Sequence, residues 1–482
     1  MQNIVDSLDW FNTQYGVVLV VLLVGAGIYF GVYTLLVQIR YVPDMFKAVA
    51  EKPSDLPGGQ KGISAFKAFT ISAASRVGTG NVAGVAIAIA TGGPGAVFWM
   101  WLLAIIGGAT SFVESTLAQV YKVRDKDSYR GGPAYYISKV LGWKNVGVLF
   151  AVLITVTYGF VFNAVQSNSI AESITHSLGG DPKFTKYTVG IVLAIVTALV
   201  VFGGVQRVGN VTQVVVPVMA ISYIFIGIAV VALNIQEVPG MFEEIISHAF
   251  GFKEFAGATL GVVIMKGVQR GLFSNEAGMG SVPNAAATAS VSHPVKQGLI
   301  QTLGVYFDTL IVCTVTAFII MLADPNLDGE QGGMALTQSS LAASVGEWGI
   351  YFLTVVIIFL AFSSVIGNYY YGETNIEFLT DNRQWVTGYR ILVSLCVLGG
   401  ALGTVPLVWT LADTFASFMA TVNIIALIPL GGVAVALLKN YAQQRAQGVN
   451  PVFHRDDLPN AKGWEHMGCW DGSDPITQRN EG

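Results

Sequence analysis

The sequence predicts an all-α integral membrane protein with about eleven membrane-spanning helices, and three observations support that prediction. Of the 482 residues, 53% are hydrophobic and only 12% are charged, which is about half the charged share of a soluble domain. The mean hydropathy is +0.59. Uncharged stretches long enough to cross a hydrocarbon layer of about 30 Å as helix recur along the chain. This composition excludes a water-soluble enzyme, and a net charge of -4 gives no reason to expect nucleic acid as a partner.

The spans follow from these uncharged stretches, taken in order along the chain. Residues 77–113 are too long for one span, and the turn signal TGGPGA at 91–96 divides them into two helices. In the last span, Pro429 with Gly431 and Gly432 marks a kink or a separate short helix. The predicted spans lie near residues 17–39, 66–90, 96–120, 145–174, 186–205, 210–234, 257–290, 298–322, 349–371, 388–403 and 405–438.

Basic residues indicate the orientation, because cytoplasmic loops retain Lys and Arg. With eleven spans and the N-terminus outside, 20 of the 26 basic residues fall in cytoplasmic segments, and only Lys183, Lys186 and Lys253 fall outside. An even number of spans would place Lys439 and Arg445 outside. The sequence therefore predicts a multi-pass protein of a plasma membrane, with its N-terminus outside and its C-terminus in the cytoplasm.

Two of the spans carry residues that interrupt a regular helix. The second span contains the run RVGTGN at 76–81, and the seventh contains SNEAGMGS at 274–281, followed by Pro283. Unpaired backbone groups at membrane depth cost several kcal/mol each unless they line a cavity or bind something. The blander interpretation is that these glycines only allow close helix packing. Two interruptions in corresponding positions favour a binding site instead.

The positions of the interruptions indicate an internal repeat. Spans two to six and seven to eleven form two sets of five, and the odd number gives the sets opposite orientations in the membrane. Each set opens with its interrupted helix, a pattern typical of secondary transporters. The predicted regions are residues 1–60 with an extra helix, repeats at 61–240 and 241–445, and a polar cytoplasmic tail at 446–482.

An interrupted helix can bind both ends of a zwitterion. The N–H groups at the start of the outer half-helix, here those of Thr79, Gly80 and Asn81, can hold a carboxylate with help from the helix dipole. Carbonyl groups freed just before them can hold an ammonium group or a small cation. A single cavity with both features suits an amino acid.

Three longer motifs resemble one family. They are VGTGNVAGVAIAIATGGPGAVFWMW (77–101), RGGPAYYI (130–137) and GLFSNEAGMGS (271–281). The sequence resembles the alanine or glycine:cation symporter family, within the amino acid, polyamine and organocation superfamily, over residues 16–440. The resemblance implies the leucine-transporter (LeuT) architecture, a 5+5 inverted repeat with two broken helices, here preceded by one extra helix.

The resemblance also implies a set of substrate-binding residues. The first break and the second break at Asn275 to Ser281 would together bind the substrate's carboxylate and amino group, and a third core helix would supply a wall. Phe273 and Met279 would bound the side-chain space, which suggests a small substrate such as alanine or glycine. The implied residues are Thr79, Gly80, Asn81, Phe162, Gln166, Phe273, Asn275, Gly278, Met279 and Gly280.

For the coupling cation, the resemblance implies an all-oxygen site that suits sodium better than a transition metal. The carbonyls of Ala74 and Val77 and the hydroxyls of Ser363 and Ser364 occupy the matching positions. Two adjacent serines in a span otherwise indicate helix packing or a bond back to the preceding turn. Sodium would be the coupling ion, and no organic cofactor is expected.

Arg76 departs from the family pattern, in which many members have a small polar residue. A charged side chain at membrane depth is a functional hypothesis by default. Two interpretations compete: Arg76 binds a polar or anionic part of a larger substrate, or Glu276 or Glu114 neutralises it, and structural pairing is favoured. Arg270 is a further candidate partner of Glu276. Asp308 and Asp413 are further intramembrane carboxylates; a proton carrier is one interpretation of any of them, and a buried ion pair is the favoured one.

The sequence thus predicts a secondary active transporter that imports a small neutral amino acid with sodium by alternating access. The alternative is proton-coupled transport of glutamine or another larger amino acid. An ion channel would need a continuous pore lined by rings of carbonyls or charges, whereas here the polar groups gather at two helix breaks. An enzyme would need a metal cluster or an activated nucleophile, and neither is visible in the sequence.

Overall fold

Long apolar helices dominate the computed structural model, which describes residues 2–52, 62–125, 128–252, 259–327 and 332–477. In these ranges nine helices are long and apolar enough to cross a membrane, and a bent pair, Ala65–Arg76 with Gly80–Gly92, makes a tenth. The nine are Asn3–Tyr33, Gly95–Val120, Lys144–Leu178, Pro182–Val201, Val214–Leu233, Pro294–Leu322, Trp348–Leu379, Arg383–Leu402 and Val405–Ala446. The prediction of a multi-pass helical membrane protein is confirmed.

The predicted count of eleven depends on one more helix. Leu260–Asn275 has 16 residues and is too short to cross the membrane alone. It continues, after a break, into the short helix Val282–Ala286. The eleventh span therefore stays a prediction, as does the division into two repeats. The predicted boundary at residues 60 and 61 lies outside the described ranges.

The first helix begins earlier than predicted, at Gln2 rather than residue 17. Its polar N-terminal turns pack against the beginning of the last long helix. The hydroxyl of Thr410 donates to Asp9 at 2.9 Å, and the amide of Asn12 donates to the Thr410 carbonyl at 3.0 Å. These partners are about 400 residues away in the chain, so the uncharged run alone could not indicate the true start.

Both predicted interruptions are real breaks in the helices. The first pair of helices is bent by 50° between Arg76 and Gly80. In the second, Glu276, Gly278 and Gly280 adopt φ values of 59°, 83° and 82°. A right-handed helix cannot continue through these left-handed conformations. We call the two elements, Ala65–Gly92 and Leu260–Ala286, the first and second broken helices.

The two turn signals also have the predicted effect. Gly93, with a φ of 76°, ends the helix Val85–Gly92, and Gly95–Val120 begins two residues later. The last long helix narrows into a 3-10 turn at Ile428–Leu430 before it continues as Gly431–Ala446. Pro429 therefore marks a kink rather than the start of a separate helix.

Several short elements have no counterpart in the predicted spans, because none has an apolar run of membrane length. A two-stranded antiparallel hairpin places Val123 opposite Arg130. The strands are Val123–Asp125 and Ser128–Arg130, and the short helices are Val37–Arg40, Val42–Val49, Pro133–Tyr135, Val238–Ala249 and Met334–Val345.

The C-terminal tail is more than the polar extension that the sequence predicts. It packs against one end of the helical bundle, and Trp470 is fully buried there. Contacts such as Lys296 with Glu51 and Arg445 with Asp44 bring the basic segments of the chain together at the same end. We call this the basic end of the bundle.

Candidate functional site

Side-chain amides hold the backbone of the first break. The N–H of Gly78 donates to Asn81 Oδ1 at 2.9 Å, and the N–H of Thr79 donates to Gln166 Oε1 at 3.1 Å. In a continuous helix these two N–H groups would donate to the carbonyls of Ala74 and Ser75. The break thus frees those carbonyls from their usual helical donors, as expected for the Ala74 carbonyl.

Ser364 lies directly against the first break. Its hydroxyl is 3.4 Å from the Val77 carbonyl oxygen and 3.1 Å from the Leu360 carbonyl oxygen. A Cβ on Gly78 would collide with Ser364 Oγ, so only glycine allows this approach. Ser363 Oγ donates to the Leu360 carbonyl at 2.7 Å, within its own helix. Among the described residues, Ser364 is thus within hydrogen-bond distance of the Val77 carbonyl, whereas Ser363 bonds within its own helix.

A carboxylate holds the second break. Glu114 accepts the N–H groups of Gly278 and Gly280, each at 3.1 Å, and the amide of Asn423 at 2.8 Å. Asn423 also donates to the Gly278 carbonyl at 3.0 Å. The backbone groups of this break that the sequence assigned to the substrate are therefore directed at Glu114 and Asn423.

The other predicted residues of the second break also have partners within the protein. Asn275 Oδ1 accepts the N–H of Ala277 at 3.0 Å, and its amide donates to Thr309 Oγ1 at 3.1 Å. The sulfur of Met279 accepts the Tyr158 hydroxyl at 3.2 Å. Their role in substrate binding stays a prediction.

Aromatic rings cover the first break. The ring centroids of Phe162 and Phe273 are 4.5 Å apart, and those of Phe273 and Trp409 are 4.7 Å apart. A Cβ on Gly80 would lie 2.9 Å from the Phe273 ring, and a Cβ on Gly84 would lie 3.3 Å from Trp409. Little space for a substrate side chain remains between these rings and the broken helix.

The predicted site is buried, and one of its polar atoms is unsatisfied. Its most exposed side chain is Phe273, at 5%. The hydroxyl of Thr79 is fully buried and has no hydrogen-bond partner within the described ranges. A buried hydroxyl without a partner costs about 1–3 kcal/mol. A polar ligand at the first break would supply the missing partner.

Arg76 does not form the predicted ion pair. Among the described residues, neither Glu276 nor Glu114 lies within ion-pair distance of its guanidinium. Arg76 Nη1 donates to the Gln301 carbonyl at 3.2 Å, and its other two nitrogens have no described partner. Glu276 instead accepts hydroxyl bonds from Ser75 at 2.8 Å and from Ser281 at 2.6 Å. Those hydroxyls satisfy the carboxylate locally.

The pairing suggested for Arg270 is also wrong. Arg270 forms its ion pair with Asp413, and its guanidinium lies over the Trp409 ring, 4.7 Å from the centroid. The pair lies beside the aromatic rings that cover the first break. Because Asp413 and Trp409 are both on the last long helix, one turn apart, that helix supplies both the ring and the counter-charge.

Asp308 is a polar residue whose place in the site was not predicted. Its carboxylate accepts bonds from Asn81 at 2.6 Å, Ser274 at 2.7 Å and Thr309 at 2.9 Å. It therefore joins both broken helices, and no basic side chain of the described residues lies within ion-pair distance of it, although Arg76 interacts with it electrostatically. The sequence shows an acidic residue in an apolar span, but nothing in it shows which residues surround that carboxylate.

Trp409 and Asn423 were missed entirely. Both lie in the last long helix, Val405–Ala446, and face the broken helices. No local pattern distinguishes them from packing residues, because a tryptophan or an asparagine in a span is common in either role.

Comparisons with known proteins find relatives over nearly the whole chain. The model of the sodium:alanine symporter family matches residues 1–455. The amino-acid carrier protein AlsT of Bacillus subtilis is 53% identical over 466 residues, which cover 96% of this chain and 97% of AlsT. The probable sodium/glutamine symporter GlnT of the same organism is 48% identical over 475 residues, which cover 98% and 96% of the two chains.

A solved structure confirms the predicted fold, while the number of spans and the division into two repeats stay predictions. The crystal structure of MhsT in complex with L-phenylalanine matches with a TM-score of 0.55 and 15% identity, over 87% of this chain and 97% of that one. At this identity the likeness concerns the fold alone. The chain has the leucine-transporter fold.

Proposed function

This chain belongs to the sodium:alanine symporter family, and from that premise we propose that it imports a small neutral amino acid together with sodium. It is a transporter and not an enzyme. The unsatisfied Thr79 hydroxyl at the first break is the observation that carries the proposal, because it provides a buried polar position for a ligand.

The amino acid's carboxylate binds at the first break in this proposal. Its oxygens would accept hydrogen bonds from the N–H and the hydroxyl of Thr79, next to Gly80, where only the absence of a side chain avoids a clash with the Phe273 ring. Gln166 now accepts the Thr79 N–H, so the arriving carboxylate displaces the Gln166 amide. Exchange of one acceptor for another costs less than creation of an unpaired N–H.

Sodium binds where the Val77 carbonyl meets the Ser364 hydroxyl. The Ala74 carbonyl, freed from its helical donor, and the Ser363 hydroxyl complete the proposed set. All four donors are oxygens, which suits a hard cation. Because Gly78 joins Val77 to the substrate-binding backbone, bound sodium would also hold the break in the shape that the amino acid needs.

The basic end of the bundle faces the cytoplasm in this proposal, since cytoplasmic segments retain Lys and Arg. The cavity would open alternately to each side of the plasma membrane. One charge that crosses 100 mV releases about 2.3 kcal/mol. This supports roughly fifty-fold accumulation, at 1.4 kcal/mol per tenfold.

The closeness of Phe162, Phe273 and Trp409 favours alanine or glycine over larger amino acids. The name of GlnT leaves glutamine as the alternative substrate. Arg76 gives that alternative little support, because its guanidinium points to the Gln301 carbonyl rather than to these rings.

Uptake of labelled alanine into proteoliposomes tests the proposal. We expect uptake to saturate, to require an inward sodium gradient and to stop when an ionophore collapses that gradient. Unlabelled glycine and alanine should compete at least about tenfold better than glutamine, a difference of about 1.4 kcal/mol in binding. Stronger competition by glutamine would contradict the proposed substrate.

Proton coupling is the second candidate, and Asp308 is the observation that favours it. A fully buried carboxylate between both broken helices, with no basic side chain of the described residues within ion-pair distance, can take up and release a proton. The test is a pH gradient imposed without sodium. If that gradient drives alanine uptake by the unaltered protein but not by Asp308→Asn, protons rather than sodium drive transport. No uptake under this gradient would leave sodium as the coupling ion.

A further inference from the structure

The tail, residues 447–477, is anchored to the basic end of the bundle by a buried tryptophan. Trp470 is 0% exposed, and its indole N–H donates to the Gln119 carbonyl at 3.2 Å. Gln119 belongs to the last turn of the helix Gly95–Val120. Its side-chain amide donates in turn to the carbonyls of Ala286 at 2.7 Å and Ala289 at 3.0 Å. Trp470 is thus one residue away from the end of the second broken helix.

Lys122 makes a second connection between the tail and the same segment. Its ammonium lies 3.8 Å from the centroid of Tyr129 and 4.8 Å from that of Trp470, and it donates to the Ala289 carbonyl at 2.9 Å. Cation–π contacts of this kind strengthen when they are desolvated. Burial lowers the pKa of Lys122 to about 8, so the ammonium form still predominates at neutral pH.

Further contacts fix the tail along its length. Asp474 forms an ion pair with Arg124 at 2.8 Å and accepts the Tyr129 hydroxyl at 2.6 Å. The N–H of Phe453 donates to the Ser292 carbonyl at 2.9 Å. The tail therefore spans from the hairpin at 123–130 to the segment that follows the second broken helix.

The first broken helix begins close to the same segment, residues 286–290. The N–H of Ser290 donates to the Ile63 carbonyl at 2.9 Å. Ile63 directly precedes Ser64, which caps the first broken helix by accepting the N–H of Lys67 at 3.1 Å. The start of the first broken helix and the end of the second, both at the basic end of the bundle, consequently meet at residues 286–290. The tail contacts this segment through Gln119 and Lys122.

We propose that the docked tail is a latch, which holds the basic ends of the two broken helices together and must release before the central cavity opens at that end. The proposal rests on the proposed function, because alternating access requires these ends to separate. A transition of a docked segment between an ordered and a disordered state is a known kind of two-state switch.

The contacts suit release and return. Apart from the Arg124–Asp474 ion pair and the buried side chains of Phe453, Met467 and Trp470, the contacts are single hydrogen bonds, which contribute about 1 kcal/mol each. The tail follows the helix that ends at Ala446, and Gly448, two residues later, has a φ of 78°. A segment held in this way can leave and dock again without disturbing the helices that it covers.

A native cysteine reports on the state of the tail. Cys469 is 4% exposed, and its thiol donates to the Lys122 carbonyl at 3.3 Å. It becomes accessible to an aqueous thiol reagent only when the tail undocks. Cys469→Ser gives the background labelling of Cys313 and Cys396.

The experiment combines Cys469 labelling in lipid nanodiscs with efflux from proteoliposomes that are loaded with labelled alanine. We expect Trp470→Ala to increase both the labelling rate and the efflux rate by about tenfold, the effect of about 1.4 kcal/mol, with an unchanged half-saturating sodium concentration. The matched control is Trp464→Ala, since the Trp464 indole donates to Arg455 within the tail itself. It should change neither rate.

Asp474→Asn provides a second variant if Trp470→Ala fails to fold. It removes the charge partner of Arg124 at the edge of the tail. Fast labelling of Cys469 with unchanged efflux in either variant would overturn the latch, because the tail would then leave without opening the cavity. Unchanged labelling in both variants would also overturn it, because these contacts would not hold the tail.

The failure of the latch can be distinguished from failure of the proposed function. If the unaltered protein shows no sodium-driven alanine uptake, the proposed function fails. The latch is then tested by a thiol in the second broken helix, introduced as Ala286→Cys, which is buried in the docked structure. Its labelling should rise with Trp470→Ala and not with Trp464→Ala, and equal labelling in the two backgrounds would overturn the latch.

Discussion

The two broken helices are held open by different chemistry. Neutral side-chain amides of Asn81 and Gln166 accept the N–H groups of the first break. A carboxylate, Glu114, accepts those of the second. A hydrogen bond to a charged group contributes about 1.5–3 kcal/mol, against about 1 kcal/mol for a neutral one. The first break is therefore suited to exchange its partners with a ligand, and the second is suited to keep them.

Backbone conformation supports the same distinction. The first break is a bend of 50°. The second contains three residues in the left-handed region, one of which, Glu276, is not a glycine. Such a residue costs about 1–3 kcal/mol and persists only where its surroundings fix it. We therefore expect the backbone of the second break to keep its conformation while that of the first break changes on ligand binding.

Removal of the Glu114 carboxylate should have the largest effect. Glu114→Ala leaves the N–H groups of Gly278 and Gly280 and the amide of Asn423 without their acceptor. Each buried unsatisfied donor costs about 1–3 kcal/mol, so we expect a loss of several kcal/mol and little folded protein. Thermal unfolding of the detergent-solubilised protein and its yield measure this loss.

An exposed glutamate provides the control for Glu114. Glu347→Gln, at the start of the helix Trp348–Leu379, should leave the unfolding temperature unchanged. If Glu114→Ala were as stable as the unaltered protein, the second break would not depend on its carboxylate, and the contrast between the two breaks would disappear.

Gln166→Leu tests whether the first break exchanges its partner. The substitution removes the amide that competes for the Thr79 N–H, so binding of the amino acid should no longer require displacement of that bond. We expect the half-saturating alanine concentration to fall by up to about tenfold, since 1.4 kcal/mol corresponds to one decade. The exposed Gln384→Leu serves as the control. A rise instead would mean that Gln166 itself holds the amino acid.

The sequence predicted the helices and the breaks because both depend on local properties. An uncharged run of membrane length must form a helix to satisfy its backbone, and glycines such as Gly278 and Gly280 permit conformations that a helix cannot contain. The kink at Pro429 follows from proline's missing N–H in the same way. These features can be predicted without any knowledge of neighbouring helices.

The pairing of charges could not be predicted, because it depends on contacts between distant parts of the chain. Arg270 could have paired with Glu276, six residues away, but its partner is Asp413, 143 residues away. Glu276 is satisfied by the small hydroxyls of Ser75 and Ser281, which a sequence does not distinguish from packing residues. Arg76 has neither Glu276 nor Glu114 within ion-pair distance, although it interacts electrostatically with both, so its neutralisation by them stays a prediction.

The docking of the tail on the bundle could not be predicted for a different reason. Its buried residues, among them Phe453, Met467 and Trp470, are separated by polar residues and form neither an apolar run nor a periodic pattern. Their burial depends on a surface made by Gln119, Lys122 and the hairpin. Composition alone therefore indicates a polar extension.

The smallest expected effect separates two neighbouring hydroxyls at the first break. Ser364 Oγ lies 3.4 Å from the Val77 carbonyl oxygen, whereas Ser363 Oγ donates at 2.7 Å to the Leu360 carbonyl of its own helix. Loss of one oxygen ligand that contributes about 1 kcal/mol to the free energy of sodium binding weakens the affinity for sodium roughly fivefold. Ser364→Ala should therefore raise the half-saturating sodium concentration about fivefold, and Ser363→Ala should raise it less than about twofold.

Sodium-dependent alanine uptake by the two variants and by the double variant measures this difference. Equal effects of the two substitutions would mean that Ser363 turns toward the first break when sodium binds, so that the ion reshapes the long helix as well as the break. No effect of the double substitution would remove both serines from the site. The carbonyls of Ala74 and Val77 would then have to hold the ion with other partners.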